Sequence, residues 1–177
     1  MQSAQRQEQQ QDSYSLPERP LFIAAGRPAF PFTATESNVR KIIAFFRTFP
    51  LSTAWRMSDE EIIEFLLSPH VIGIEIGNAL VLLSNTVPGF RADIEFLFFD
   101  NRVTGNEGLV KDVCVNMMGI LKLRRMQAIV PMKNRVTWRL FERIGFRPEG
   151  RLRNAFVLPT GDLGDIVILS LLPEDLK

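Results

Sequence analysis

The chain has 177 residues, 46% of them hydrophobic and 23% charged, with a net charge of +1, which is the make-up of one globular domain and not of a disordered chain. One cysteine, Cys114, leaves no internal disulfide framework and makes a reducing cytoplasm the expected compartment, while one histidine, His70, is too few for a zinc site or a serine–histidine machine. No apolar run approaches the roughly 18 residues of a membrane span, and the N-terminus lacks the basic-then-apolar layout of a secretory signal.

In chain order, residues 1–19 are Gln-rich with almost no apolar side chains, and are expected to be a disordered tail ahead of a single domain over 20–177. Residues 21–24 read as a first strand, after which Pro28 and Pro31 break the chain. Val39, Ile42, Ile43, Phe46 and Phe49 keep helical spacing and predict a helix over 36–48. Ser58 with Glu61 three residues on is a capping box, opening a second helix through Leu67 whose buried face is Ile62, Phe65 and Leu66. Residues 71–76 and 79–84 flank Gly77-Asn78 as a hairpin, and 92–99 is apolar on nearly every residue after Glu95, as suits a central strand. A glycine-containing loop over 101–108 leads to a helix carrying Leu109, Val110, Val113, Cys114, Met117, Met118 and Leu121 on one face. A short strand over 127–130, a helix over 134–144 and strands over 152–158 and 166–171 complete the order.

The near-neutral total hides an asymmetry. Between positions 122 and 153 ten basic residues face only Glu142 and Glu149. Such a surplus suits a phosphate-bearing partner, a nucleotide-like cofactor or a nucleic acid, or else is a solvated face balanced elsewhere. Nucleic acid is the weaker match, because no strand interleaves aromatic with basic residues.

The C-terminal third is the most informative stretch. Val136, Leu140, Phe141 and Ile144 form the apolar stripe of a helix that Asn134 opens. Gly145 then stands where a helix ends in a left-handed residue, Phe146 folds back on the last turn, and Gly150 precedes a new extended segment. Asn134, Leu140-Phe141-x-Arg143-x-Gly145-Phe146, Glu149-Gly150-x-Leu152-Arg153, and Asp165 ahead of Leu169-Ser170-Leu171-Leu172 resemble the GNAT acyltransferase superfamily. Within it they are similar to the ribosomal-protein and N-terminal acetyltransferase branch. The resemblance implies an α/β (α+β) domain: a mixed, mostly antiparallel sheet of six to seven strands flanked by about four helices.

It also implies acetyl-CoA as co-substrate, no metal, and an N-acetyltransferase acting on a protein N-terminus, a lysine or a small amine. Its pantetheine arm would lie along the strand around Phe98 and Phe99. Its pyrophosphate would sit on the amides of Arg102-Val103-Thr104-Gly105-Asn106-Glu107-Gly108, where free N–H groups at a helix start bind phosphate. Arg102 and Gly105 fit the family pattern. Glu107 stands where a small residue is usual, unless the register shifts by one and Gly108 serves. Alternatively Gly105 and Gly108 are plain turn residues. Asn134 would lie near the cofactor or simply cap its helix, and Arg135 and Arg139 would meet its phosphates or face water.

Asp93 and Glu95 alternate onto one strand face, where relatives often place the base that deprotonates the amine; otherwise they are polar residues at a strand's open end. An oxyanion would be met by a strand N–H near Phe98. Phe141 and Leu169 replace tyrosines often seen in relatives, and Tyr14 is the chain's only tyrosine. With Glu107 these changes also allow a GNAT-shaped binding protein without turnover. His70 and Cys114 read as structural, and Trp55 and Trp138 as packing or groove residues. Monomer and homodimer both remain open, and no membrane partner is expected.

Overall fold

Five consecutive apolar residues, Ala79 to Leu83, are all buried. A strand turns alternate side chains to opposite faces, so this one has to be covered on both. In the computed structural model, which describes residues 19–49, 56–100, 105–158 and 160–176, it belongs to β4 (Ala79–Val87) of an eight-stranded mixed sheet. The order across the sheet is β1 (Phe22–Ala24), β2 (Arg27–Pro31), β3 (Ile72–Ile76), β4, β5 (Arg91–Phe98), β6 (Arg125–Pro131), β8 (Leu163–Leu171) and β7 (Arg147–Val157). Every neighbouring pair is antiparallel except β5 with β6.

Helices α1 (Glu36–Thr48) and α2 (Asp59–Leu67) cover one face, and α3 (Glu107–Ile120) and α4 (Arg135–Arg143) the other. Leu80, Leu82 and Leu97 pack with Ile42, Phe46, Ile62 and Leu66 on the first face. Ala79, Val81, Leu83, Ala92 and Ile94 pack with Val110, Val113, Cys114 and Met117 on the second. Each fully buried Leu or Ile contributes about 1.5–3 kcal/mol, so both layers are needed to hold the sheet. A 3₁₀ turn, Pro173–Leu176, follows β8. Among the described residues no helix is long and apolar enough to cross a membrane.

Local signals act as read. Ser58 Oγ accepts from the Glu61 N–H at 3.1 Å while the Glu61 carboxylate accepts from the Ser58 N–H at 2.6 Å. Gly145 has φ +112°, and a Cβ there would come within 3.1 Å of the Asp175 carbonyl oxygen. The Phe146 ring lies edge-on to Phe141 with centroids 4.7 Å apart.

Three details differ from expectation. The eighth strand is β2, and Pro28 and Pro31 stand inside it rather than breaking the chain. Its pairing runs through other residues: Leu21 N–H donates to the Ala29 carbonyl at 2.8 Å and Phe32 N–H to that of Gly73 at 2.9 Å, so neither proline is asked for a donor it lacks. Val136 faces solvent, leaving Leu140, Phe141 and Ile144 as the buried stripe. Strand β7 starts five residues early, at Arg147, with Gly150 inside it just past a bulge. The Gln-rich stretch over 1–18, Trp55 and Arg102-Val103-Thr104 lie outside the described residues.

Candidate active site

The parallel junction of the sheet is short. β5 and β6 pair only from Arg91 with Arg125 to Asp93 with Gln127, although β5 continues to Phe98 and β6 to Pro131. At its far end, the Phe99 N–H turns toward β4 and donates to the Asn78 carbonyl at 3.1 Å. Amide groups of successive strand residues point to opposite edges, so those of Phe96 and Phe98 point toward β6, which has by then diverged. The result is a wedge-shaped gap with unpaired backbone along one wall. Phe96 and Phe98 stack with centroids 6.0 Å apart, and Phe96 lies 6.3 Å from Phe141 of α4. Such a slot accepts an extended ligand that brings its own amide groups.

Asp93 and Glu95 do share a face, the one covered by α1 and α2, where Glu95 stands opposite Leu82. Glu95 is the first residue on that face beyond the last β5–β6 pair. It is partly buried, and burial alone pushes its carboxyl up to about 7. Asp93 is held differently. Its Oδ2 accepts from Asn85 Nδ2 at 2.8 Å, and its Oδ1 is buried with no partner among the described residues. Asn85 takes φ +48° beside the bulge in β4, which aims its amide at Asp93.

A polar network that the sequence did not single out continues this row across the sheet. Arg125 Nη1 and Nη2 donate to both oxygens of Glu149 at 2.7 and 2.5 Å, and Nη2 also donates to Gln127 Oε1 at 2.9 Å. Ser170, the one buried polar residue of the described core, donates to Glu149 as well. The Arg125 guanidinium, then the Ser170 hydroxyl, hold the Glu149 carboxyl down to about 2. Glu149 reaches them because it is the extra residue of a bulge, between Pro148 opposite Leu169 and Gly150 opposite Ile168. The Pro-Glu-Gly sequence was the available signal for that bulge.

At the start of α3, Gly105 has φ +84°, and both Gly105 and Gly108 have open space beside them. Glu107 opens the helix, and its carboxylate folds back onto the helix's own donors. The N–H of Glu107 itself, then Arg143, then the N–H of Gly105 hold its carboxyl below the usual range. Arg143 Nη1 lies 3.1 Å from Glu107 Oε1. Glu107 therefore occupies, as an anion with a counter-ion, the place where helix-start N–H groups meet phosphate. Asn106 is the cap residue without making a side-chain cap bond.

Asn134 caps α4, its Oδ1 accepting from the Thr137 N–H at 3.3 Å. Arg135 and Arg139 line an open cavity of about 560 Å³ with Lys133, Trp138 and Arg151. Among the described residues, four of the ten basic residues are paired inside the molecule: Arg125 with Glu149, Arg143 with Glu107, Arg147 with Asp175 and Arg151 with Asp165. Part of the local surplus is thus structural. Cys114 is fully buried, with its thiol pushed up by burial, and His70 is exposed. No cluster of three or more metal-ligating side chains occurs among the described residues.

No model of a known protein family matches this sequence, and no curated protein does. Solved structures match throughout. Spermidine N-acetyltransferase from Vibrio cholerae in complex with CoA and spermine superposes at TM-score 0.68, covering 84% of this chain and 97% of that one at 18% identity. A GNAT-family acetyltransferase from Streptococcus pneumoniae gives 0.60 over 81% and 99% at 16% identity. One from Bacillus anthracis gives 0.61 over 82% and 95% at 12% identity. The chain has the GNAT fold. These three are a polyamine enzyme and two general members, and the N-terminal-acetylating branch that the C-terminal motif resembles has no counterpart among them.

Proposed function

We propose that this protein is an N-acetyltransferase that takes acetyl-CoA into the gap between β5 and β6 and acetylates a primary amine by direct attack. The observation that carries the reading is Glu95: a carboxyl raised to about 7, one step beyond the point where β5 and β6 part. An alkylammonium ionises near ~10.4 and cannot attack until it loses a proton. At neutral pH Glu95 accepts that proton, and the freed lone pair adds to the thioester carbonyl. A backbone N–H on the unpaired edge of β5, at Phe96 or Phe98, meets the oxygen as charge develops on it. Collapse breaks the C–S bond. The second proton of the attacking nitrogen passes through water to the thiolate, since Phe141 carries none to give.

The unpaired edge around Phe98 suits the pantetheine amides, with Phe99 closing the strand behind it. The amides of Arg102, Val103, Thr104, Gly105, Asn106 and Gly108 would hold the pyrophosphate. Glu107 has to leave its seat for that, and Arg143 then passes from carboxylate to phosphate. Asn134 keeps its side-chain N–H groups for the cofactor while its oxygen caps α4. Asp93, fixed by Asn85, places a second carboxyl group beside Glu95 on the face an incoming amine would meet. The acceptor is a protein N-terminus, a lysine or a small amine, and the polyamine enzyme among the structural matches supports the last. A single buried cysteine suits a reducing cytoplasm.

The Glu107 carboxylate already on the helix-start donors favours one rival, a GNAT-shaped binding protein without turnover. Calorimetric titration with acetyl-CoA and with desacetyl-CoA, followed by thiol release over a panel of amines, separates the two. Micromolar binding with amine-dependent thiol release supports the enzyme. Binding without release for any amine supports the rival. Absence of binding at millimolar acetyl-CoA removes both the cofactor site and the enzyme.

A further inference from the structure

A groove runs along α1 on the sheet face away from α3 and α4. Asn38, Lys41, Phe45 and Thr48 recur at intervals of three and four, and so line one side of the helix over about 15 Å. The opposite wall is Glu75 of β3, the Gly77-Asn78 turn and Phe99. The groove is half open and its volume is about 550 Å³, within the range of small-molecule sites. Phe32 closes one end and is fixed there, because it lies on Gly73, where even a Cβ would come within 2.6 Å of it. Phe45 and Phe99 meet edge to face at 5.9 Å.

The polar end is built from acceptors. Asn38 Nδ2 donates to Glu75 Oε1 at 3.1 Å and to the Thr33 carbonyl at 3.0 Å. Both partners are acceptors, so the amide nitrogen must face them and Asn38 Oδ1 must face away. Among the described residues, Asn38 Oδ1 and Glu75 Oε2 accept nothing. Glu75 is partly buried, and burial raises its pKa while Lys41 lowers it through space. Yet no cation stands within ion-pair distance of it among the described residues. A partly buried carboxylate without a bonded counter-ion among the described residues, beside an open amide oxygen and three aromatic rings, suits a compact organic cation with several N–H donors.

We infer that this groove binds a small primary ammonium with an apolar body, its head on Glu75 and Asn38 and its body against Phe32, Phe45 and Phe99. Glu75 stands on β3, two strands away from β5, so the site is separate from the gap that would take acetyl-CoA. Phe99 touches both regions, its ring in the groove and its backbone at the end of β5.

The test follows ¹H–¹⁵N amide shifts of the full chain during titration with phenethylamine and with 2-phenylethanol, its uncharged counterpart. The expected result is saturable shifts at Gly77, Asn78 and Phe99 for the amine, with the alcohol at least about tenfold weaker. Glu75→Gln should weaken the amine by about the same factor. Lys41→Gln should strengthen it a few-fold, by removing a competing cation. Equal affinity for amine and alcohol would overturn the inference. So would shifts confined to the β5–β6 gap, or weaker binding of the amine in Lys41→Gln, which would make Lys41 a support of the groove and not a competing cation. If Glu75→Gln does not fold, the ligand pair on the unaltered chain and the Lys41 variant still decide. Titration with acetyl-CoA addresses the gap alone, so either site can fail without the other.

Discussion

The two edges of β6 carry the same backbone and opposite fates. Toward β8 it is sealed by an unbroken antiparallel register from Met126 with Leu171 to Pro131 with Ile166. Toward β5 it pairs over three residues and then lets go. The sealed edge is lined by Ala128, Val130, Val167, Leu169 and Leu171, all buried in the larger core. The open edge has Glu95, Phe96 and Phe98, a titratable group and flat rings around unpaired amides. Unpaired backbone is costly wherever water is excluded, so a sheet keeps such a breach only where something else takes those groups. One edge of β6 holds the domain together; the other is the place to look for its chemistry.

The largest effect should come from attacking the sealed edge. Leu169 is fully buried opposite Ala128, and Leu169→Ala should cost about 2–5 kcal/mol in urea unfolding through lost burial and the cavity left behind. A loss under about 1 kcal/mol would mean that the edge is not the structural one.

At the open edge, Glu95→Gln should lower amine acetylation about a hundredfold near pH 7 and leave the urea midpoint unchanged or higher. The acetylation proposed for the unaltered protein should also slow as pH falls through about 7, where Glu95 takes up its proton. That limb should vanish in the variant. A full rate and an unchanged pH profile would place the base elsewhere.

Smaller in size is the effect at Glu107. Replacing it by Ala should tighten CoA binding roughly two- to fivefold by freeing the helix-start donors, while Arg143→Ala should weaken it. Calorimetry on both variants reads this directly, and weaker binding in Glu107→Ala would show the carboxylate to be a support of the loop rather than its occupant.

The smallest effect lies between the two edges, at the Arg125–Glu149 pair. Arg125 and Ser170 lower the Glu149 pKa to about 2, so its contribution is present above the ordinary carboxylate pKa and disappears as pH falls toward 2. Glu149→Gln should therefore reduce stability modestly at pH 7 and make little difference at the lowest pH at which unfolding is still reversible. Equal losses at both pH values would mean that packing, not charge, is what Glu149 supplies.

Much of this architecture was legible because its causes are local. The Ser58 capping box, the Gly145 helix end with Phe146 folded back, and the Gly77-Asn78 turn each depend on a few neighbouring residues and stand where the pattern put them. The alternation of Asp93 and Glu95 onto one face follows from strand geometry alone. What eluded sequence reasoning depends on partners far along the chain. Pro28 and Pro31 read as breakers because nothing local reveals that β3 would pair with the residues around them. Val136 read as buried because its spacing fitted the stripe, whereas α4 needs only a narrow contact. Arg143 reaches Glu107 across 36 positions, and Arg125 reaches Glu149 across 24.

The sequence by itself determined the helices, the central strands and the turns between them, since periodicity, caps and glycines act within a few residues. It also determined which chemical groups are available: carboxylates and a basic second half, with one cysteine and one histidine. Only the tertiary structure decided where β5 parts from β6, which carboxyl is desolvated at that point, and which cations are already engaged by acids. Those outcomes depend on how strands twist apart, on what burial removes from water and on which distant side chains meet. Each is a property of the assembled chain that no short window of sequence contains.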